Sequence, residues 1–94
     1  MNIELTILYD YYGELLTSKQ QDYFEDYYFS NLSLKEIAEN YNISRNAVYN
    51  SLKEIEKKLI HYEEILKLYH KSKIVSELIV NLDSDTQNKI KELI

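Results

Sequence analysis

Between residues 44 and 57 the sequence carries amide and cationic side chains at a spacing that suits nucleic-acid recognition. If this segment is helical, each residue turns by about 100 degrees around the axis, and the outer side is then formed by Asn46, Asn50, Lys53 and Lys57. Asparagine can pair with adenine through two hydrogen bonds, whereas lysine and arginine reach phosphates or guanine. The residues that we expect to contact nucleic acid are Lys35, Ser44, Arg45, Asn46, Tyr49, Asn50, Lys53 and Lys57.

The opposite side of the same segment is apolar. Its stripe recurs at intervals of four, three and four residues, the spacing of a buried helix face, and consists of Val48, Leu52, Ile55 and Leu59. Ser44 stands just before this stripe, where a serine hydroxyl can cap the first turn. The pattern therefore predicts a helix that begins after Ser44, buries its stripe and presents the amides and amines to solvent.

A second helix is predicted immediately before this one. Ser33 and Glu36 have the spacing of a capping box, in which each side chain bonds the other residue's amide. Asn42 tolerates the left-handed conformation in which a helix can end and turn, and Ile43 would then fill the corner. The apolar face of this helix is formed by Leu34, Ile37, Ala38 and Tyr41. Two helices joined in this way form a helix-turn-helix, whose second helix lies in the major groove of DNA.

The residues before this unit predict two more helices. An apolar stripe runs from Ile3 to Leu16 and consists of Leu5, Leu8, Tyr12 and Leu15, widened by Tyr9 and Leu16. Thr17 and Gln20 form a second capping box, which starts a helix that continues to about Phe29. Because the chain has no proline and one glycine, it has few residues for tight hairpins, and we expect an all-α fold.

The residues after the helix-turn-helix form a long apolar extension. A seam of coiled-coil spacing predicts that the second helix continues to about His70, through Ile55, Leu59, Tyr62, Leu66 and Tyr69. Another apolar stretch covers residues 74–82, and Asp83 or Ser84 can cap a last helix. One long helix cannot bury all these side chains alone. Either two copies pair through this extension as a homodimer, or the last two helices fold back within one chain, and the sequence favours neither.

Length and composition limit the possible classes of protein. Ninety-four residues predict one domain, 1–94, with the helix-turn-helix module at about 17–58 and the extension at about 59–94. The chain has no cysteine, no apolar run long enough for a membrane span and no basic head of a signal peptide, so we expect a cytoplasmic protein.

Charge is distributed unevenly along the chain. The net charge is −5, and residues 1–32 hold six acids and one base. Residues 33–58 hold five bases and four acids, and residues 59–94 hold five bases and six acids. The predicted reading unit is therefore the least acidic third, although few phosphate contacts are available and any binding to DNA should be weak and sensitive to salt.

Other kinds of chemistry find no support in the sequence. His61 and His70 are nine residues apart, so they would point to opposite sides of one helix, and no HExxH motif or cysteine pair accompanies them. A single glycine cannot form a phosphate-binding loop, and Ser33 and Ser44 have capping positions without a neighbouring base. We therefore expect no metal site, no cofactor and no enzymatic activity.

Two resemblances sharpen this interpretation. Bacterial sigma factors have a DNA-binding fourth region that resembles residues 16–59, with the same leading Leu-Thr, a Leu-Ser-x-x-Glu-Ile-Ala helix and an Ile-Ser-Arg-x-Ala-Val helix. Most of the chain is similar to small bacterial proteins of the YlxM type, through YDYYGELLTSKQ, SLKEIAENYNISRNAVYN and LIHYEEILKLYHK. That family is regarded as helix-turn-helix regulators, and the position of its gene implies a role in the signal recognition particle pathway.

Two functions remain as hypotheses. In the first, the protein is a dimeric DNA-binding regulator that reads DNA with the second helix of its helix-turn-helix. In the second, it is an accessory factor whose acidic, tyrosine-rich first third and C-terminal extension dock on the signal recognition particle or its GTPase without binding DNA. Acidic surfaces are attracted to basic particles of RNA and protein, which favours the second hypothesis, whereas the amides and amines of the second helix favour the first.

Overall fold

The computed structural model describes residues 2–94, and this part of the chain contains helices and no strands. The prediction of an all-α fold is therefore confirmed. The six α-helices are α1 (Ile3–Tyr12), α2 (Ser18–Tyr28), α3 (Leu34–Tyr41), α4 (Arg45–Leu66), α5 (Leu68–Leu78) and α6 (Ser84–Lys91), and a 3₁₀ turn (Gly13–Leu15) follows α1. None of the helices within residues 2–94 has the length and apolar character needed to cross a membrane.

Local hydrogen bonds explain where the helices begin. The hydroxyl of Ser33 accepts a hydrogen bond from the Glu36 amide, and the Glu36 carboxylate accepts one from the Ser33 amide, both at 3.1 Å. Thr17 and Gln20 form the same reciprocal pair at the start of α2. Both predicted capping boxes are confirmed, because these residues satisfy amides that a helix cannot satisfy itself. Single side-chain caps start three other helices: Asn2 for α1, Ser44 for α4 and Asp83 for α6.

A left-handed residue separates α3 from α4. Asn42 has φ 53° and ψ 47°, and the Ile43 amide donates a hydrogen bond to the Ala38 carbonyl at 3.0 Å. This arrangement ends a helix by satisfying one of its last carbonyls while the chain changes direction. The predicted corner at Asn42 is confirmed, and Ile43 packs against the core beside it.

The core forms around α4, which contacts α1, α2 and α3. The predicted stripe of α4 is confirmed, since Val48, Ile55 and Leu59 are fully buried and Leu52 is nearly so. The buried side chains of the three surrounding helices are Leu5, Leu8, Tyr12, Tyr23, Phe24, Ile37 and Ala38, and Leu16 joins them from the segment before α2. Their burial removes apolar surface from water, which is the main favourable contribution to folding.

The end of α1 differs from the prediction. We expected Leu15 in the buried stripe, but α1 ends at Tyr12 and the chain tightens into a 3₁₀ turn that leaves Leu15 56% exposed. Leu16 is buried in its place. Gly13 lies against the Tyr9 ring, because a Cβ atom on it would stand 3.0 Å from the nearest ring carbon of Tyr9. The glycine therefore permits close packing at the point where the helix ends.

The prediction that α4 continues to about His70 is wrong. The helix ends at Leu66, and Lys67 adopts a left-handed conformation with φ 55° and ψ 30° before α5 begins. The predicted seam is broken at this point, and Leu66 is 42% exposed. The cause is a hydrogen-bond network described below, in which Glu63 and Tyr12 bind the first amides of α5.

This network, which we call the latch, joins the Glu63 carboxylate and the Tyr12 hydroxyl to the first amides of α5. The Glu63 carboxylate accepts hydrogen bonds from the amides of Tyr69 at 3.2 Å and His70 at 3.0 Å. The Tyr12 hydroxyl donates to the same carboxylate and accepts from the Leu68 amide at 3.0 Å. These bonds satisfy amides at the start of α5 that an unbroken helix would have bonded to its own carbonyls. Tertiary contacts with α1 therefore compete successfully with continuation of α4.

Residues 68–94, which we call the C-terminal arm, contain α5 and α6. Helix α5 contacts α1, α4 and α6, so the last two helices pack on each other within one chain. Ile79 is the buried apolar residue of the arm. Much apolar surface stays exposed after this packing, on Leu68, Ile74, Leu78, Val80, Leu82, Leu93 and Ile94.

Candidate nucleic-acid interface

The outer side of α4 is positioned by the burial of its inner side. Because Val48, Leu52 and Ile55 face the core, residues about half a turn away must face solvent. We call the outer side the reading face. All eight residues predicted to contact nucleic acid are exposed, namely Lys35, Ser44, Arg45, Asn46, Tyr49, Asn50, Lys53 and Lys57.

The eight residues come from three short segments. Six of them lie along the first part of α4, Lys35 lies in the first turn of α3, and Ser44 stands at the corner between the two helices. The Ser44 hydroxyl accepts a hydrogen bond from the Ala47 amide at 3.0 Å, so its first role is to cap α4. The structure thus brings an arginine, amides and lysines to one side of one helix, where they can contact a ligand together.

Lys53 already has partners within the chain. Its ammonium group lies 3.7 Å from a carboxylate oxygen of Glu56 and 5.5 Å from the centre of the Tyr49 ring. An exposed ion pair of this kind contributes little to stability and exchanges readily with solvent. Among residues 2–94 this is the one ion pair shorter than 4.0 Å, so the reading face otherwise presents cations that no carboxylate neutralises at close range.

A shallow depression lies between the start of α3 and the start of α4. Its volume is about 400 Å³, and its lining comes from Leu34, Arg45, Asn46 and Tyr49. The sequence assigned Leu34 to the core, but the structure leaves it half-buried, with part of its side chain against this depression. The reading face is therefore a ridge of polar groups with an apolar recess at its edge.

A second recess, which we call the aromatic cleft, adjoins the first. Its volume is about 160 Å³, and its walls are Tyr27, Tyr28, Leu34, Tyr49, Leu52, Lys53 and Glu56. Leu34 and Tyr49 line both recesses, so the cleft continues from the reading face toward the end of α2. Burial, followed by the charge of Glu56, raises the pKa of the Tyr28 hydroxyl to about 12, so this hydroxyl keeps its proton at neutral pH.

Sequence reasoning missed the two tyrosines of α2 as candidate binding residues. It predicted a helix that runs through Tyr27 and Tyr28 to about Phe29 and gave neither residue a role in binding. Adjacent residues of a helix point about 100 degrees apart, so two large neighbours cannot both face one core, and this was the available signal. In the structure Tyr28 is half-buried and Tyr27 is 37% exposed, with their rings edge to face at 5.0 Å.

The acidic residues lie mainly on other elements. Helices α1 and α2 and the 3₁₀ turn between them expose carboxylates that we call the acidic surface, formed by Glu4, Asp10, Glu14, Asp22 and Glu25. In α3, hydrogen bonding to the Ser33 amide and hydroxyl holds the pKa of Glu36 below its usual value. That carboxylate is engaged in the capping box, where it satisfies an amide at the helix start.

Comparisons with known proteins agree with the helix-turn-helix geometry. The whole chain, residues 1–94, matches the family model described as "Putative helix-turn-helix protein, YlxM / p13 like". A UPF0122 protein of Desulforamulus reducens is 49% identical over 84 residues, covering 85% of this chain and 72% of the relative. One from Fusobacterium nucleatum is 38% identical and covers 98% of this chain and 90% of the relative. One from Lactococcus lactis subsp. cremoris is 42% identical and covers 99% and 93%.

Proposed function

The chain belongs to the UPF0122 family of YlxM-like helix-turn-helix proteins, and from that premise we propose that it is a cytoplasmic DNA-binding regulatory protein. The observation that carries this proposal is the exposure of amides and cations along α4, directly after the Asn42 corner. A helix in this position of a helix-turn-helix lies in the major groove, with its first turns against base edges.

The residues of the reading face divide into two roles. Asn46 and Asn50 have amides that can pair with adenine in the major groove. Tyr49 flanks these two residues on the helix surface and has an exposed ring. The cations contact phosphates and set the position of the helix, and these are Lys35, Arg45, Lys53 and Lys57. Lys53 must leave Glu56 to reach a phosphate, which costs little because their pair is exposed.

The charge distribution sets the expected strength of binding. Residues 33–58 carry a small excess of bases, whereas residues 1–32 hold six acids and one base. The acidic surface lies on α1, α2 and the turn between them, and it repels a DNA backbone that approaches it. Because each neutralised phosphate contributes about 0.9 units of salt slope, a few contacts predict modest affinity that falls as salt is added.

The proposal is tested by gel shift of labelled genomic DNA fragments at low salt. The double variant Arg45→Ala with Lys53→Ala should abolish the shift, because it removes two phosphate contacts from the reading face. Lys71→Ala with Lys89→Ala is the matched control, since it removes the same charge from exposed positions of the arm. Circular dichroism should show unchanged helicity for both double variants.

Two results would contradict this use of the reading face. One is a gel shift that the Arg45→Ala, Lys53→Ala variant retains. The other is equal loss of binding in the arm control, which would mean that total charge rather than the reading face attracts DNA. A titration at several salt concentrations adds an independent readout, because the single variant Lys53→Ala, which removes one contact, should reduce the salt slope by about one unit.

We further infer that two copies pair through the C-terminal arm. Leu78 is 76% exposed, Val80 64% and Leu93 84%, which is more apolar exposure than a short helix pair normally leaves to water. The arm suits a second copy because residues 68–94 hold four bases and four acids, so two arms do not repel each other. A two-fold dimer would present two reading faces to a palindromic site.

Sedimentation equilibrium of the whole chain tests the dimer. Leu78→Asp with Leu93→Asp should shift the equilibrium toward monomer, because it places charges in the proposed interface. Leu15→Asp is the control, since Leu15 is also exposed but lies in the 3₁₀ turn far along the chain from the arm. A wild-type chain that stays monomeric at 100 times the concentration used for DNA binding would rule out this interface.

The acidic surface supports a second candidate function. Its carboxylates on α1, α2 and the intervening turn could dock on a basic particle of RNA and protein, and we infer the signal recognition particle or its GTPase as that partner. Fluorescence titration with the purified particle should then show binding that survives Arg45→Ala with Lys53→Ala. Absence of binding at near-micromolar concentrations would exclude this function.

A further inference from the structure

The aromatic cleft has features that the reading of duplex DNA does not use. Its lining combines three tyrosines, and two of them, Tyr27 and Tyr28, come from α2 rather than from the helix-turn-helix. Tyr27 is 37% exposed and Tyr49 is 48% exposed, so both rings are accessible. The cleft opens beside the reading face, with which it shares Tyr49 and Lys53, and it shares Leu34 and Tyr49 with the neighbouring depression.

We propose that the aromatic cleft binds one unpaired nucleobase of a nucleic acid whose duplex part lies on the reading face. This inference rests on the proposed function, because the duplex brings the base to the cleft. Tyrosine rings stack on bases of any type, and stacking between tyrosines is a common way to hold a base that has left its helix. The ligand class is therefore DNA or RNA with an extruded or single-stranded base, rather than a fully paired duplex.

The size of the cleft fits a single flat ring system. Its volume of about 160 Å³ is below the range of roughly 300–1,000 Å³ that is typical of sites for drug-sized ligands. A peptide helix would need a longer groove with several apolar anchors along it. Tyrosine rings from α2 and from α4 line this small cleft, which suits one base.

The polar groups of the cleft also match a nucleotide. Lys53 stands at its edge, and Arg45 lines the neighbouring depression, so both cations can hold the phosphates that flank the base. Glu56 offers a carboxylate, which can accept a hydrogen bond from the amino group of adenine, cytosine or guanine. Thymine and uracil lack that amino group, so we expect the cleft to bind them less tightly.

Lys53 links occupation of the cleft to binding of the duplex. Without ligand, its ammonium group is 3.7 Å from Glu56 and lies over the Tyr49 ring. When Lys53 moves to a phosphate, Glu56 loses its ion-pair partner and keeps only its interaction with Tyr28, and the Tyr49 ring loses its cover. The carboxylate and the ring then become available to a base at the same time, so contact with the backbone opens the cleft.

The experiment compares three labelled DNA hairpins by fluorescence anisotropy: fully paired, with one extra unpaired adenine, and with one extra unpaired thymine. The protein should bind the adenine hairpin about tenfold more tightly than the paired one, the lower part of the range for stacking of one base on an aromatic ring. The protein should also prefer the hairpin with an unpaired thymine to the paired hairpin, but by a smaller factor than it prefers the adenine hairpin. The corresponding RNA hairpins, with uracil in place of thymine, show whether the protein prefers an unpaired base in DNA or in RNA.

Variants of Tyr27 identify the site. Tyr27→Leu should remove the preference for the unpaired base and leave binding of the paired hairpin unchanged, because Tyr27 lies outside the reading face. Tyr27→Phe should keep the preference, since the ring and its stacking remain. Tyr11→Leu is the matched control: Tyr11 is 38% exposed, almost the same as Tyr27, but lies on α1 against Tyr69.

The possible outcomes test the cleft proposal and the reading-face proposal separately or together. Equal binding of paired and unpaired hairpins, or a preference that survives Tyr27→Leu, would overturn the cleft proposal and leave the reading face intact. Binding of the unpaired hairpins alone would support the cleft and contradict reading of duplex DNA. No binding of any hairpin would contradict both. A preference lost in Tyr27→Leu but kept in Tyr11→Leu and Tyr27→Phe would support the cleft.

Discussion

The four-helix unit of residues 3–66 and the C-terminal arm of residues 68–94 differ in how completely they bury their apolar side chains. In the four-helix unit, α1, α2 and α3 all pack on α4, and each contributes buried side chains to one core. In the arm, α5 and α6 pack on each other, and Ile79 is buried while Leu78 beside it is 76% exposed. The two regions have similar kinds of residues but very different burial.

The difference follows from how fully each helix is covered by its neighbours. The stripe of α4 is buried by α1, α2 and α3, whereas α5, although it contacts α1, α4 and α6, has no buried side chain. The four-helix unit therefore holds most of the folding free energy, and the arm leaves apolar surface exposed. Between the two regions lies the latch, whose hydrogen bonds fix the direction in which the arm leaves α4.

The largest expected effect comes from the core of the four-helix unit. Ile55→Ala should lower the free energy of unfolding by about 2–5 kcal/mol, because Ile55 is fully buried and its removal leaves a cavity. Leu78→Ala should change it by less than about 0.5 kcal/mol when the protein is dilute. Urea denaturation followed by circular dichroism measures both, and equal effects would show that the arm belongs to the same core.

Breaking the latch should have the next largest effect. Tyr12→Phe removes a hydroxyl that bonds both Glu63 and the Leu68 amide, at a cost of about 1–2 kcal/mol. Amide hydrogen exchange should then speed up at the start of α5 much more than at Ile55. Tyr23→Phe is the control, because Tyr23 is also buried but its hydroxyl takes no part in the latch. Uniform acceleration along the chain would mean that the latch stabilises the whole fold instead of orienting the arm.

Two of the three left-handed residues within residues 2–94, Asn42 and Lys67, offer a smaller and sharper test. Asn42→Ala should destabilise the four-helix unit by up to about 1 kcal/mol, because alanine tolerates positive φ less well than asparagine. Lys67→Ala should have almost no effect, since lysine already has the same backbone restriction at φ 55°. Thermal unfolding of both variants measures the difference. If Lys67→Ala lost as much stability as Asn42→Ala, the cost of positive φ would not explain the effect at Asn42.

The smallest effect is a dependence of the latch on pH. Partial burial acts to raise the pKa of Glu63, but hydrogen bonds from Tyr12, His70 and Tyr69 outweigh it and hold the pKa below the usual 4.5. The folded state therefore favours the ionised Glu63 carboxylate. The stabilisation that this carboxylate provides is complete above pH 4.5 and is lost as the pH falls through the lowered pKa.

Nuclear magnetic resonance can follow this loss at single amides. The proton shifts of Tyr69 and His70 should move together with a midpoint below pH 4.5, because both amides donate to the same carboxylate. In Glu63→Gln this titration should disappear. A midpoint above 4.5 in the wild-type chain would show that burial dominates the pKa of Glu63 and that the latch favours the protonated acid.

Much of the fold was predictable because its signals are local. The capping pairs at Thr17 and Ser33 act over three residues, and the stripe of α4 repeats along a single helix. The end of α4 was not predictable in this way. Its heptad spacing indicated continuation to His70, and the hydrogen bonds that stop it need Tyr12, more than fifty residues earlier in the chain, as well as Glu63.

The sequence by itself determined which side of α4 carries amides and cations, because one helical period places them opposite an apolar stripe whatever packs against it. It also determined the corner at Asn42, where one backbone conformation is required. Only the tertiary structure decided that Tyr27 and Tyr28 stand next to Tyr49 and that the arm turns away at Lys67. These features depend on contacts between residues far apart in the chain, and no local pattern encodes such distances.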